Sequence, residues 1–329
     1  MHSHVVDDSK AKNRTPAQRQ VRVASGLAGR PDGEVRIIRL PDGRRLAYGE
    51  YGERGGFPLF YYHRHGSCRL EAGFIHKSAR LAGFRIISID RPGMGASDFN
   101  RSGDLDSFAQ DVGELADRLG LPRFGLICNG GGSAFALATA HAFPQRVSLL
   151  LGVSALPPLP VRSSVTGGLL MAAMHLYSAM RHAMCARRPH RYITRLMDSL
   201  GYADRRLLGH ADVQLLLARD LREASRQGIR GVARDTALHY RDWGFDATAV
   251  SVPVHFWLGG ADNLIPRHRV ENFVSCCSDA ELHILPARGH FLFIRAMDEV
   301  FATANKLLGR TTHTSPYTLP VPQKVVASL

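Results

Sequence analysis

Apolar residues in this chain fall into short unbroken runs bounded by turn residues, and between those runs they recur at helical spacing. The first runs, Val35–Leu40 and Arg45–Tyr51, flank Pro41-Asp42-Gly43 and predict a hairpin whose glycine supplies the positive φ of the turn. Further strands are predicted at Pro58–His63, Phe84–Asp90 and Phe124–Cys128, separated by helical patterns at Leu70–Ala82 and Leu105–Leu119. The alternation resumes with strands at Val147–Val153, Val254–Leu258 and Glu281–Leu285, and a last helix is predicted near Met297–Leu308. Strands that are apolar throughout and alternate with helices predict an α/β fold, with a mostly parallel sheet covered on both faces.

The strand signal stops between Ala155 and Phe245, where helical stretches are punctuated by Pro157, Pro158, Pro160, Gly201, Gly209, Gly228 and Gly231. An insertion after the sixth strand would stand above the carboxyl ends of the sheet, where open α/β folds bind ligands, so this segment is a candidate cap or lid. Met171, Met174, Met180 and Met184 lie at near-helical spacing within it, which suits core packing first and adaptable ligand contact second. The expected organisation is a flexible basic arm at 1–30, a core domain from 31–154 and 246–309, a helical cap at 155–245, and a flexible tail at 310–329. Val165–Met180, the most apolar helical stretch, is too short to span a bilayer and is broken by Gly167, Gly168 and His175.

Charge refines this picture. Forty-two Lys and Arg against 29 Asp and Glu give the 329 residues a net +13. The arm contributes +4, the 155–245 segment +7 and the tail +2, while the remainder holds twenty charges of each sign. The excess therefore belongs to the ends and the insertion, which argues against a nucleic-acid surface. Arg181, Arg187, Arg188, Arg191 and Arg195 could attract an anionic substrate or an acidic carrier protein holding it, or they form a solvated face. The five cysteines have neither zinc nor disulfide spacing, and the polar start lacks an apolar leader; together they predict a cytoplasmic protein with no metal and no cofactor.

Candidate chemistry lies in the turns that follow the predicted strands: Tyr61-Tyr62-His63, the run from Asp90-Arg91-Pro92-Gly93 to Ser97-Asp98, a glycine-rich turn from Cys128 to Ser133, Gly259-Gly260-Ala261-Asp262, and Gly289-His290. In order and spacing, from about Val35 to Gly309, these motifs resemble the α/β-hydrolase fold with a helical cap. The resemblance implies a nucleophile elbow of the form G-x-S-x-G, an acid after a late strand, a histidine base near the end, and an oxyanion loop that begins His-Gly.

The resemblance breaks at two places. Cys128-Asn129-Gly130-Gly131-Gly132-Ser133 puts Gly130 at the nucleophile position; a register shifted by one would put Asn129 there, and neither side chain is a usual nucleophile. The oxyanion loop reads His63-Arg64-His65-Gly66, with arginine where glycine is usual. Asp262 and His290 match the family's acid and base, and the backbone N–H groups of His65 and Gly131 match its oxyanion donors. His63, Arg64 and Asn129 are candidate pocket residues. Cys68, Cys128 and Ser133 are alternative nucleophiles that position disfavours, and a metal held by His63, His65, Asp262 and His290 is disfavoured because the topology already accounts for three of them.

A carboxylate–imidazole pair can still move protons without a serine. The leading expectation is therefore general acid–base chemistry on an apolar small molecule with no covalent intermediate, as in a lyase, an isomerase or cyclase, or a water-mediated hydrolase, with natural-product biosynthesis as one setting. The rivals are an inactive pseudohydrolase serving as ligand receptor or partner-binding protein, and a serine hydrolase engineered to glycine at Gly130.

Overall fold

The computed structural model describes residues 34–158, 180 and 187–310. The basic arm, the tail beyond Arg310, and Met171, Met174 and Met184 lie outside the described residues. Eight strands form one sheet in the order β1-β2-β4-β3-β5-β6-β7-β8. These are β1 (Arg36–Arg39), β2 (Arg45–Gly52), β3 (Phe57–Tyr62), β4 (Phe84–Ile89), β5 (Phe124–Asn129), β6 (Val147–Val153), β7 (Val254–Gly259) and β8 (Ala280–Leu285). The β1–β2 and β2–β4 pairings are antiparallel and the others parallel, as unbroken apolar runs joined by helices require.

Five of the nine described α-helices flank the sheet: α1 (His76–Leu81), α2 (Leu105–Arg118), α3 (Ser133–Ala142), and, after β7, α8 (Arg267–Cys276) and α9 (Met297–Leu307); α4 (Pro189–Asp198) starts the inserted helices. The insertion continues through α5 (Tyr202–Leu208), α6 (Ala211–Ala224) and α7 (Arg230–His239). One core cluster joins Phe108 and Val112 of α2, Phe135 of α3 and Val270 of α8 to one sheet face. The other joins Ala79 of α1 and Phe301 of α9 to the opposite face, and it extends to Ile193, Val213 and Leu217 of the inserted helices.

The helix predicted over Leu70–Ala82 is two pieces, a 3₁₀ helix at Arg69–Phe74 followed by α1. At the start of the first piece the buried Asp90 carboxylate accepts the Arg69 backbone N–H at 2.8 Å and holds the chain to the end of β4. Arg310, expected to begin the free tail, is packed instead; its guanidinium lies 5.0 Å from the centroid of the Phe84 ring and donates to the Gly83 carbonyl. Among the described residues no helix is long and apolar enough to cross a membrane.

Candidate active site

At the carboxyl end of β5 the chain turns sharply through Gly130–Gly132 into α3. Asn129 is still extended at φ −124°, whereas Gly130 is left-handed at φ +52°, so Gly130 is the residue that makes the reversal. Glycine enters that region without the penalty an L side chain meets. Space is also tight, since a Cβ on Gly130 would stand 3.2 Å from the Cβ of Arg64. At the next residue the His65 imidazole fills the volume that a side chain on Gly131 would occupy.

Asp262 follows β7 and His290 follows β8, and the parallel register of these edge strands brings the two turns together. His290 Nδ1 lies 3.0 Å from Asp262 Oδ2, and the Asp262 side chain is fully buried. Its other oxygen accepts the backbone N–H groups of Leu264 at 2.8 Å and Ile265 at 3.1 Å, which fixes the carboxylate and leaves one oxygen facing the ring. With Nδ1–H donated to Asp262, Nε2 is the nitrogen that can exchange a proton. Among the described residues no hydroxyl or thiol is hydrogen-bonded to this imidazole.

Two backbone ties connect the dyad to the glycine turn. Ser154, just past β6, donates its hydroxyl to the His290 carbonyl at 2.8 Å, and the Leu156 N–H donates to the Gly130 carbonyl at 3.0 Å. Ser154 has φ +43°, the positive value that no other non-glycine shows among the described residues. Such backbone conformations persist only where surrounding bonds over-determine them, as here.

Arg64, a candidate pocket residue, turns its charge toward two acids of the fold. Its guanidinium donates to Glu71 and reaches Asp220 Oδ2 at 3.4 Å, both acids being fully buried. It also lies 5.9 Å from the Phe291 ring centroid, beside His290. Glu71 in turn accepts the Arg64 backbone N–H at 3.0 Å, the Tyr61 hydroxyl at 2.8 Å and the Asn129 amide at 3.1 Å. Arg64 and Asn129 are thereby tied into an internal network. Burial raises the Asp220 pKa, and the neighbouring Arg64 pulls it back.

His63 is completely buried; its Nδ1 donates to the Arg64 carbonyl at 2.9 Å, and its Nε2 finds no hydrogen-bond partner among the described residues. Burial first, and then the nearby Arg91 cation, holds its pKa well below the ordinary histidine value. The alternative nucleophiles are poorly equipped. Burial pushes the Cys128 thiol up to about 12 and raises Cys68 as well, while Ser133 donates its hydroxyl to the Leu156 carbonyl at 2.5 Å.

Three residues that sequence reasoning passed over join the inserted helices to these loops. Asp204 of α5 accepts the backbone N–H groups of His290 at 2.8 Å and Phe291 at 2.9 Å. Asp220 of α6 accepts the Ser67 hydroxyl at 2.7 Å and the Cys68 N–H at 3.0 Å. Asp235 of α7 pairs with the buried guanidinium of Arg91, whose Nη1 also donates to the His63 carbonyl at 2.5 Å. A usable signal existed, because each acid lies on its helix's apolar stripe: Asp204 with Leu208, Asp220 with Val213 and Leu217, Asp235 with Val232. By contrast Arg187, Arg188, Arg191 and Arg195 are exposed on and before α4.

The chain is similar to known proteins of one family. The profile of the alpha/beta hydrolase family matches residues 56–303. A non-heme chloroperoxidase of Streptomyces lividans is 32% identical over 163 residues, covering 47% of this chain and 56% of the relative. The dihydrolipoyllysine-residue acetyltransferase component of an acetoin cleaving system from Pseudomonas putida is 27% identical over 286 residues, covering 84% of this chain and 70% of the relative. The chain thus spans little more than half the length of the first of these. Among solved structures, epoxide hydrolase A from Mycobacterium thermoresistibile superposes with a TM-score of 0.64 at 21% identity, over 84% of this chain and 98% of the other.

Proposed function

From the premise that the chain belongs to the alpha/beta hydrolase family, we propose an enzyme in which His290, oriented by Asp262, moves a proton on a small apolar substrate without forming a covalent intermediate. The observation that carries this reading is the anchored dyad, 3.0 Å between Nδ1 and Oδ2, beside a turn whose left-handed residue, Gly130, has no side chain. On this reading Gly130 occupies the family's nucleophile position. The N–H groups of His65 and Gly131 are the groups that would steady a developing oxyanion. The compatible reactions are proton abstraction with elimination or cyclisation, and hydrolysis by a water that His290 activates directly.

The network around Arg64 supports a native rather than an engineered glycine. Arg64 packs its Cβ where a residue larger than glycine at 130 would press, and its charge is matched by Glu71 and Asp220. Two buried acids and a buried amide arranged about this arginine form a consistent set. The same observation favours a second reading, a ligand-binding protein without turnover, because Arg64 and His65 both take up room beside the glycine turn.

The two readings separate by experiment. Intact wild-type protein treated with a fluorophosphonate is expected to show no mass shift by electrospray spectrometry; stoichiometric labelling would overturn the non-covalent assignment. Against a panel of small esters, epoxides and β-elimination substrates, turnover by the wild type should fall by about 10²-fold or more in His290→Ala. Turnover equal in the two proteins would reject the base, and saturable binding with no product from any panel member would establish the binding-protein reading.

A further inference from the structure

The β7–β8 pair carries a second constellation toward the beginning of both strands, away from the dyad. His255 lies opposite Glu281 and Trp257 opposite His283 across the parallel ladder, so alternation gives all four side chains one face of the sheet. His255 Nδ1 is 3.0 Å from His283 Nε2 and 3.5 Å from Glu281 Oε2. The two imidazoles are within 13° of parallel, and Trp257 stacks on His283 with centroids 4.6 Å apart. His255 is buried, whereas the Glu281 side chain is 63% exposed, which gives an ion a path in from the sheet edge. Asp262 and His290 follow the far ends of these strands, so the constellation is separated from them by about 13 Å of strand from His255 to Gly259.

We propose that His255, Glu281 and His283 bind a divalent transition metal ion of the Zn²⁺ or Co²⁺ type, clipping edge strand β8 to β7. Imidazole nitrogen and carboxylate oxygen hold such an ion at about 2.0–2.2 Å in a tetrahedral shell, which sets ligand atoms about 3.3–3.5 Å apart. The observed 3.0 and 3.5 Å lie within a few tenths of that spacing, and the candidate ligand atoms of all three residues lie within 4.8 Å of one another. A nitrogen-rich set with one carboxylate selects borderline ions over Mg²⁺ or Ca²⁺. Both clipped strands run on into the turns bearing Asp262 and His290, so the ion stiffens the edge that carries the dyad.

The full-length chain, free of any purification tag, should be titrated with Co²⁺ while its visible ligand-field absorption is followed, and then challenged with Zn²⁺. One Co²⁺ per chain giving tetrahedral bands, displaced by Zn²⁺, is expected, together with a Tm several degrees higher in Zn²⁺. His283→Gln should abolish the bands and the Tm rise, and Glu281→Gln should weaken binding by about tenfold or more. His2, His4 and the other histidines offer weak competing ligands, so the site variants decide. Should His283→Gln fail to fold, as judged by circular dichroism, the exposed Glu281→Gln carries the decision. A folded wild type with no ligand-field band, or binding unaltered in the folded variants, overturns the proposal.

Discussion

One carboxylate, that of Asp204, receives two consecutive backbone N–H groups, those of His290 and Phe291, and so sets the path of the chain at the histidine. Asparagine is nearly isosteric but offers a single acceptor, and its amide would turn a donor toward a donor. Asp204→Asn is therefore expected to cost about 1–3 kcal/mol, read as a lower urea midpoint with an unchanged m-value. The glycine turn at Gly130 could be located in sequence, because the strand before it and the helix after it fix the spacing. In the fold Gly130 carries the positive φ of +52° and Asn129 is extended. Arg64 was visible as a departure, but its direction was not: Glu71 is seven residues away and Asp220 is 156, and only the folded chain brings them to it.

The inserted helices were legible as helices, from apolar residues at helical spacing, and α5, α6 and α7 appear in the segment where the strand signal stops. Their attachment was not. A lid reading implies a loosely held cover, whereas polar bonds tie the described insertion to the core: Asp204 to the His290 turn, Asp220 to Ser67 and Cys68, Asp235 to Arg91, and Gln227, in the loop between α6 and α7, to the carbonyls of Gly95 and Ser97. The Arg91–Asp235 ion pair is deeply set, with both side chains at most 3% exposed. Asp235→Ala strands a buried cation and should cost about 3–5 kcal/mol in denaturant unfolding, whereas replacing both partners together with apolar residues, Arg91→Met with Asp235→Leu, should recover much of that loss. Equal losses in the single and double variants would show that the pair is not what holds α7 down.

For the molecule as a whole, buried neutral histidines tie stability to pH. Burial holds His239 at about 3 and His63 well below its ordinary value, so between about pH 6.5 and 4 the unfolded chain takes up protons that the folded chain refuses. Their contribution is complete above about pH 6.5 and falls on acidification, by roughly 1.4 kcal/mol per pH unit for each ring. His239→Phe should flatten the decline of the urea midpoint between pH 6 and 4 relative to wild type; an unchanged slope would mean that His239 is protonated in the fold. By itself the sequence determined the alternation of strands and helices, hence the parallel sheet, and it marked Gly130, Asp262 and His290, because hydrophobic period and turn chemistry are local properties written in consecutive residues. Only the tertiary structure decided what each buried acid of the inserted helices faces, since Asp220, Asp235 and Asp204 lie more than 80 residues from Arg64, Arg91 and the His290 backbone that they meet, and pairing at such separations follows from packing, which no local pattern encodes.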